Sequence, residues 1–226
     1  MITIENLSFA YDKKPVINDI SMVLGEGIFG IIGINGSGKT TLLNLIYGLI
    51  KPDAGSILYN GSHKVKKNSS FVGTENYFFS RITGREHLSL FKNPDFDENL
   101  WSNILGIPLD TYISSYSTGM RKKLSILTSL KTNKEVYIFD EPFNGLDLES
   151  CQIVILILKE LKNKAKTVII TSHIIDVLKE LCNKYYLLSE GKINHVYRND
   201  EFDILKNKIK HIISDEKEEL IKQALL

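Results

Sequence analysis

Apolar and polar residues alternate at the start of the chain, with Ile2, Ile4, Leu7, Phe9 and Tyr11 at near-two spacing in ITIENLSFAY. That period predicts a strand. DKKP predicts a turn, and VINDISMVL a second strand. GIFGIIG is an apolar, β-branched run that ends in glycine, and KTTLLNLIYGL sets Leu42, Leu43, Ile46 and Leu49 on one helical face. KPDAG breaks that helix and SILYNG returns to strand. The middle, residues 73–133, reads as helical and looser. NPDFDE and GIPLD interrupt it, GREHLSLF and GMRKKLSILTSLK are its helices, and it holds the only tryptophan, Trp101. After Lys134 the character changes. EVYIF is a short strand of the kind buried on both faces, followed by a helix (ESCQIVILILKELKNK), a strand (KTVIITS), a helix (IIDVLKELCNK) and two strands about a Glu-Gly turn (YYLLSEGKI). Strands alternating with helices predict an α/β layered domain with a mostly parallel sheet. From DEFDILKNKIKHII onward a charged amphipathic helix, with Leu205, Ile209 and Ile212 on one side, reads as a partly packed, solvated tail.

Composition narrows this picture. A chain of 226 residues with 43% hydrophobic and 24% charged positions suits one large domain, or one domain with an insert. A net charge of +1 argues neither for nucleic acid nor for an acidic partner. Cys151 and Cys182 fit no metal or redox spacing and fall in apolar helical patterns, so core packing in a reducing compartment is expected. The N-terminus shows no signal-peptide pattern. The longest apolar run, IVILIL, is followed at once by charge and falls far short of the ~20 residues that cross a membrane. The chain is expected to sit against a membrane at most.

The chemistry concentrates in three places. GINGSGKT, Gly33 to Thr40, matches the P-loop pattern, with a strand before and a helix after. Glycines at Gly33, Gly36 and Gly38 let the backbone wrap a phosphate, so that N–H groups converge on the anion at a helix N-terminus. Lys39 supplies charge to the β- and γ-phosphates, and the Thr40 hydroxyl can coordinate Mg²⁺. Gly33, Ile34, Asn35, Gly36, Ser37, Gly38, Lys39, Thr40 and Thr41 form the expected cradle for a nucleoside triphosphate. In VYIFDEP, Asp140 ends a buried strand expected beside the P-loop strand, where a carboxylate would hold Mg²⁺ through water. Glu141, pointing to the other side of an extended chain, suits polarising the attacking water. In TSH, His173 ends the next strand, at the sheet edge where α/β proteins bind ligands, near the γ-phosphate. His63, His87, His195 and His211 have no such context.

With these pieces in order, the chain resembles the ATP-binding cassette (ABC) ATPases, from about Ile2 to Arg198. The resemblance implies an α/β P-loop NTPase layered fold with a mostly parallel sheet, an N-terminal antiparallel β part and an inserted helical subdomain. One domain, 1–226, would divide into an ATP-binding core (1–72 and 134–200), a helical signature subdomain (73–133) and a C-terminal helical tail (201–226). ATP and Mg²⁺ are the implied ligands. Tyr11 matches the aromatic that stacks on adenine. YSTGM falls at the signature segment, with Ser117, Thr118, Gly119 and Met120 on nucleotide. NGLD, ending at Asp147, matches the loop after the second carboxylate motif, and His173 the switch histidine.

Three departures stand out. Tyr116, Thr118 and Met120 replace the usual leucine, glycine and glutamine of the signature, while Ser117 and Gly119 are kept. Tyr-Ser-x-Gly-Met followed by basic residues, together with ITGREHL, resembles the ABC-2-type exporter subgroup. The glutamine that usually approaches Mg²⁺ is missing from FVGTENYFF. Thr74 or Glu75 stands in its place, and either can reach the metal through water. Leu148 replaces the proline common after the loop aspartate.

The resemblance implies a head-to-tail pair in which each P-loop is completed by the other subunit's signature. A catalytic ATPase subunit of an exporter, driving a separate transmembrane permease subunit, is the leading expectation. It would be cytoplasmic and peripheral on the inner face of the cell membrane. Its second ATPase subunit would be an identical chain or a close paralogue. The insert and the Thr74–Glu75 loop would receive the permease, with Tyr77, Phe78 and Phe79 either at that surface or in the insert's own core. The alternative is a soluble ABC ATPase of an assembly system, as in iron–sulfur cluster biogenesis. A nucleic-acid machine is disfavoured by the single P-loop, the absence of heptads and the charge balance.

Overall fold

β1 (Ile2–Tyr11) and β2 (Lys14–Leu24) form a hairpin in the computed structural model, which describes residues 1–224 without the side chains of 213–222. The turn holds Asp12 and Lys13 at φ 45° and 68°, the left-handed backbone that matches strand twist in a two-residue hairpin. β3 (Gly27–Ile32) and α1 (Lys39–Tyr47) follow, and β4 (Ala54–Tyr59) returns to pair with β1, giving an antiparallel sheet of order β2-β1-β4. α1 ends before Leu49. Gly48, at φ 81°, closes it through its N–H to the Asn44 and Leu45 carbonyls, so Leu49 leaves the expected apolar face and is 52% exposed.

α2 (Val65–Asn68) leads into β5 (Ser69–Val72), two elements the apolar pattern does not reveal. The reason is polar residues inside a buried strand. Ser69 Oγ donates to Val65 O at 2.8 Å and Ser70 Oγ to Ser129 Oγ at 2.7 Å, so both hydroxyls are satisfied without water. The 73–133 segment carries α3 (Gly84–Ser89), α4 (Glu98–Leu105) and α5 (Thr118–Lys131). Then come β6 (Val136–Phe139), α6 (Leu148–Asn163), β7 (Thr167–Thr171), α7 (Ile175–Leu181), β8 (Lys184–Ser189), β9 (Lys192–Arg198) and α8 (Phe202–Ala224). The second sheet runs β5-β6-β7-β3-β8-β9, parallel except for β9. This corrects one expectation: Asp140's strand β6 does not neighbour the P-loop strand β3, because β7 lies between them.

Period two along each strand divides the core into two layers. Phe29, Ile31, Val136, Ile138 and Ile169 face the antiparallel sheet and α1. Ile28, Tyr137, Phe139, Val168 and Ile170 face α6, α7 and the helices of the insert, whose Leu88, Leu105, Leu124 and Leu127 continue the same cluster. The tail is better anchored than its charge suggests. Phe202, Leu205 and Ile209 are buried there, and Lys179–Asp203 and Lys206–Asp176 pair across to α7. Residues 225 and 226 of the expected tail lie outside the described residues. Cys182 is not helical. α7 stops at Leu181, and the extended Cys182 places a buried thiol in the core, where burial pushes its pKa up.

Candidate active site

Four parallel strands end at one edge of the second sheet, and their C-termini deliver the chemistry: β3 the P-loop, β6 Asp140 and Glu141, β7 Thr171 and His173, β5 the Gly73–Thr74 loop. Two of the loop glycines are required for different reasons. A Cβ on Gly33 would lie 2.3 Å from Leu188 O and 2.5 Å from Ser37 Oγ, while Gly38 takes φ 102° and a Cβ there would stand only 3.0 Å from Val16 O. Lys39, 7% exposed, folds back so that Nζ donates to Gly33 O at 2.8 Å and Ile34 O at 3.1 Å. Burial lowers its pKa, opposed by the charges of Glu141 and Asp140.

Asp140 is the hub. Its Oδ1 accepts from Thr171 Oγ1 at 2.6 Å, and its Oδ2 accepts from Thr40 Oγ1 at 2.7 Å and Thr74 Oγ1 at 3.0 Å. Thr171 Oγ1 also accepts from Glu141 N at 3.0 Å. The intervening strand β7 thus braces the Asp140 carboxylate and the Glu141 backbone, a role of Thr171 that the TSH motif does not announce. Thr171→Val is expected to lower stability by about 1–3 kcal/mol, because it strips a donor from a buried carboxylate. Urea unfolding checks this, and an unchanged midpoint would remove Thr171 from the brace.

Glu141 differs from its expected geometry. It is not extended: φ is 51°, and this left-handed turn swings its carboxylate over the same edge as Asp140 instead of to the opposite face. Its Oε2 accepts from His173 N at 2.9 Å. Its Oε1 lies 3.2 Å from His173 Nε2, close enough for ion pairing, but meets no hydrogen-bond geometry and is a buried oxygen without a donor. Burial raises the Glu141 pKa, against the lowering effects of the His173 N–H, the His173 ring and Lys39.

Lys39, Thr40, Asp140, Glu141 and His173 line a cavity of about 350 Å³ that also takes in Val16, Asn35, Gly36, Thr41 and Asn144. Of the two residues in the glutamine's place, Thr74 enters this cavity. Glu75 turns away, accepts from the Tyr77 hydroxyl and lines a different cavity. The donor set fits Mg²⁺, a hard cation that takes one carboxylate, hydroxyls and waters beside phosphate oxygens. The orphaned Glu141 Oε1 fits a site that completes its bonding with ligand and water. Tyr11 stands 47% exposed at the end of β1, edge-to-face with Phe9 at 4.7 Å, outside the phosphate cavity. Val16 and Thr171 carry no mark in the sequence, since each is an ordinary strand residue until the fold places it.

The signature residues are absent from this cavity. Ser117 is the N-cap of α5, its Oγ accepting from Met120 N at 3.2 Å, and Ser117 and Thr118 are exposed. Gly119 packs on the NGLD loop, where a Cβ would come within 2.8 Å of Gly145 O. Asp147 caps α6, and the Ser150 N–H at 2.7 Å holds its carboxyl below the usual range. The two subgroup marks touch. The buried Tyr116 donates through its hydroxyl to Pro108 O at 2.5 Å, and a Cβ on Gly84 of ITGREHL would lie 2.5 Å from that hydroxyl. With the Tyr116 hydroxyl on Pro108 O, a side chain at position 84 would have to displace it.

Comparison with known proteins agrees with this geometry. The family model described as ABC transporter matches residues 17–144. The ABC transporter ATP-binding protein YtrB of Bacillus subtilis is 32% identical over 213 residues, covering 89% of this chain and 73% of its own. The lantibiotic transport ATP-binding protein SrtF of Streptococcus pyogenes is 29% identical over 212 residues, covering 85% and 89%. A dimeric ATP-binding cassette in a post-hydrolysis state with ADP and Pi shares the fold at a TM-score of 0.77, with 19% identity over 88% of this chain and 99% of that one. By the family-model match over more than half of its length, the chain belongs to the ABC transporter family, as an ATP-binding subunit and an ATPase.

Proposed function

We propose that this ATPase works as a pair of subunits that close head-to-tail on two ATP molecules and drive export through a separate membrane-spanning chain. The observation that carries it is the exposed N-terminus of α5. Ser117 caps it, Thr118 is solvent-facing, and neither lines the chain's own phosphate cavity. Such a helix end offers free N–H groups and a favourable dipole to an anion brought by another molecule.

Within the pair, the P-loop N–H groups and Lys39 hold the β- and γ-phosphates, and Tyr11 offers its exposed face to adenine. Thr40, Asp140 and Thr74 would hold Mg²⁺, which neutralises charge that develops on the phosphoryl oxygens. Glu141 takes the proton of the attacking water, and His173, donating through its backbone N–H, fixes the carboxylate. After hydrolysis the γ-phosphate no longer bridges the two subunits, and they part.

The permease would dock beside the insert. A cavity of about 790 Å³, separate from the nucleotide, is rimmed by Lys66, Lys67, Lys92 and Lys134 against one carboxylate, Glu75. Tyr77 and Phe79 are 85% and 71% exposed beside it, while Phe78 packs into the insert's core against His87. Cationic rims of this kind steer acidic partners, and exposed aromatics serve as anchors. Among the described residues no helix is long and apolar enough to cross a membrane, so the transport path is assigned to the partner. Export is favoured by the Tyr116–Gly84 pairing of the exporter-like subgroup and by the likeness to a lantibiotic transport protein.

Affinity capture from detergent-solubilised membranes tests this reading. A polytopic partner is expected to come with the protein. Lys66→Glu with Lys67→Glu should cut that recovery severalfold and leave ATP binding intact. Recovery wholly without membranes returns the protein to the soluble assembly class.

A further inference from the structure

The basic run after the signature does not share one environment. Lys122 is 2% exposed, although lysines flank solvent almost everywhere else. Its Nζ donates to Gly73 O at 2.9 Å and Thr74 O at 3.2 Å. An ammonium withdrawn from water is costly unless its donors are met, so this contact is a built one. Its two acceptors belong to the segment that stands where the family's glutamine is missing. No backbone–backbone hydrogen bond fastens residues 73–78 among the described residues. The tie from α5 is what holds the start of that segment, and the next atom along is Thr74 Oγ1, on Asp140 at 3.0 Å.

We propose that Lys122 is a positioning residue that clamps the Gly73 and Thr74 carbonyls, keeps the Thr74 hydroxyl on Asp140, and so links the signature helix to the metal side of the site. Ser117 caps the first turn of α5 and Lys122 lies on the next turn. A load on the capped end therefore reaches Thr74 through one rigid turn and two charge-assisted hydrogen bonds. The path from a partner's nucleotide rests on the paired-subunit reading above. The clamp itself does not. Charged groups near the ammonium are Asp140 and Glu141, whose carboxylates oppose the effect of burial on it.

Limited chymotrypsin digestion of the full chain, read by cleavage after the exposed Tyr77 and Phe79, tests the clamp in the nucleotide-free state, where no dimer is needed. Lys122→Met keeps the volume and removes the donors. It is expected to raise the cleavage rate at Tyr77 and Phe79 by roughly tenfold, the equivalent of one charged hydrogen bond lost, and to leave cleavage elsewhere in the chain unchanged. Lys122→Gln keeps a donor without the charge and should fall between Met and wild type. Both variants should raise the Mg²⁺ concentration needed for half-maximal ATPase activity without changing ATP affinity measured in the absence of Mg²⁺. Cleavage at Tyr77 and Phe79 within about twofold of wild type in both variants overturns the proposal. So does faster cleavage spread evenly over α5 and the core with an unaltered Mg²⁺ requirement, which marks Lys122 as packing only. If the subunits fail to pair with ATP while the clamp signal appears, the composite site is wrong and the positioning role stands.

Discussion

Glu141→Gln is expected to keep ATP binding and to lose about 10²–10⁴-fold in hydrolysis, the usual yield of a positioned general base. Because the nucleotide is then held without turnover, the variant should accumulate as an ATP-dependent dimer in size-exclusion chromatography with light scattering. The structure gives this substitution a second consequence. Glu141 is buried, turned by its positive φ into the cavity, and has one oxygen without a donor. Its pKa is raised, so the folded state binds its proton more readily than the unfolded state. The sign follows: ionising it costs folding free energy, a cost that sets in as pH rises through the ordinary value of 4.5 and is complete above the raised folded value. Glu141→Gln should therefore raise Tm at neutral pH while activity falls. The wild-type rate should also fail on acidification at a higher pH than an exposed glutamate would give, since the base must be ionised to act. Normal turnover in the variant would falsify the base assignment.

Ser117→Asp is expected to abolish ATP-driven dimerisation and nearly all ATPase activity while nucleotide binding to the monomer persists. Aspartate is as good an N-cap as serine and suits the helix dipole, so α5 and the fold should be unharmed. What changes is the charge presented to a partner's γ-phosphate, from a hydroxyl donor to an anion. Like charges brought together with water excluded repel strongly. Gly119 is a less clean target, because a Cβ there already meets Gly145 O at 2.8 Å within the same subunit. Equilibrium binding of a fluorescent ATP analogue, beside sedimentation with and without ATP, separates the two effects. A Ser117→Asp protein that still dimerises with ATP would remove the signature from the composite site.

Much of this site is legible in the order of residues alone, because its chemistry is local. A phosphate cradle needs glycines, a lysine and a hydroxyl at fixed spacing, so GINGSGKT announces Gly33, Lys39 and Thr40 without knowledge of the fold. Short apolar, β-branched runs likewise mark β6 and β7, buried on both faces. The serines of β5 hide a buried strand, since their hydroxyls find partners that the apolar pattern does not show, such as Ser129 for Ser70. Leu49 misleads for a comparable reason: spacing cannot show that Gly48 will turn left-handed and end the helix.

Residue order alone is enough to specify the phosphate loop, the strand-ending carboxylates, the histidine after β7 and the signature that carries the family resemblance. How these groups act on one another is set by the packed fold. It places β7 between the P-loop strand and the Asp140 strand, so that Thr171 braces the Asp140 carboxylate and the Glu141 backbone. It turns Glu141 by a positive φ onto the same edge as Asp140, and it sends Thr74 to the phosphate cavity and Glu75 away from it. It also separates Lys122 from its basic neighbours and buries it beneath the Gly73–Thr74 loop. The physical reason is one of range. Glycine freedom, strand period and helix capping operate within a few residues, whereas hydrogen bonds between residues 31 or 100 positions apart exist only once packing has fixed which strand ends meet.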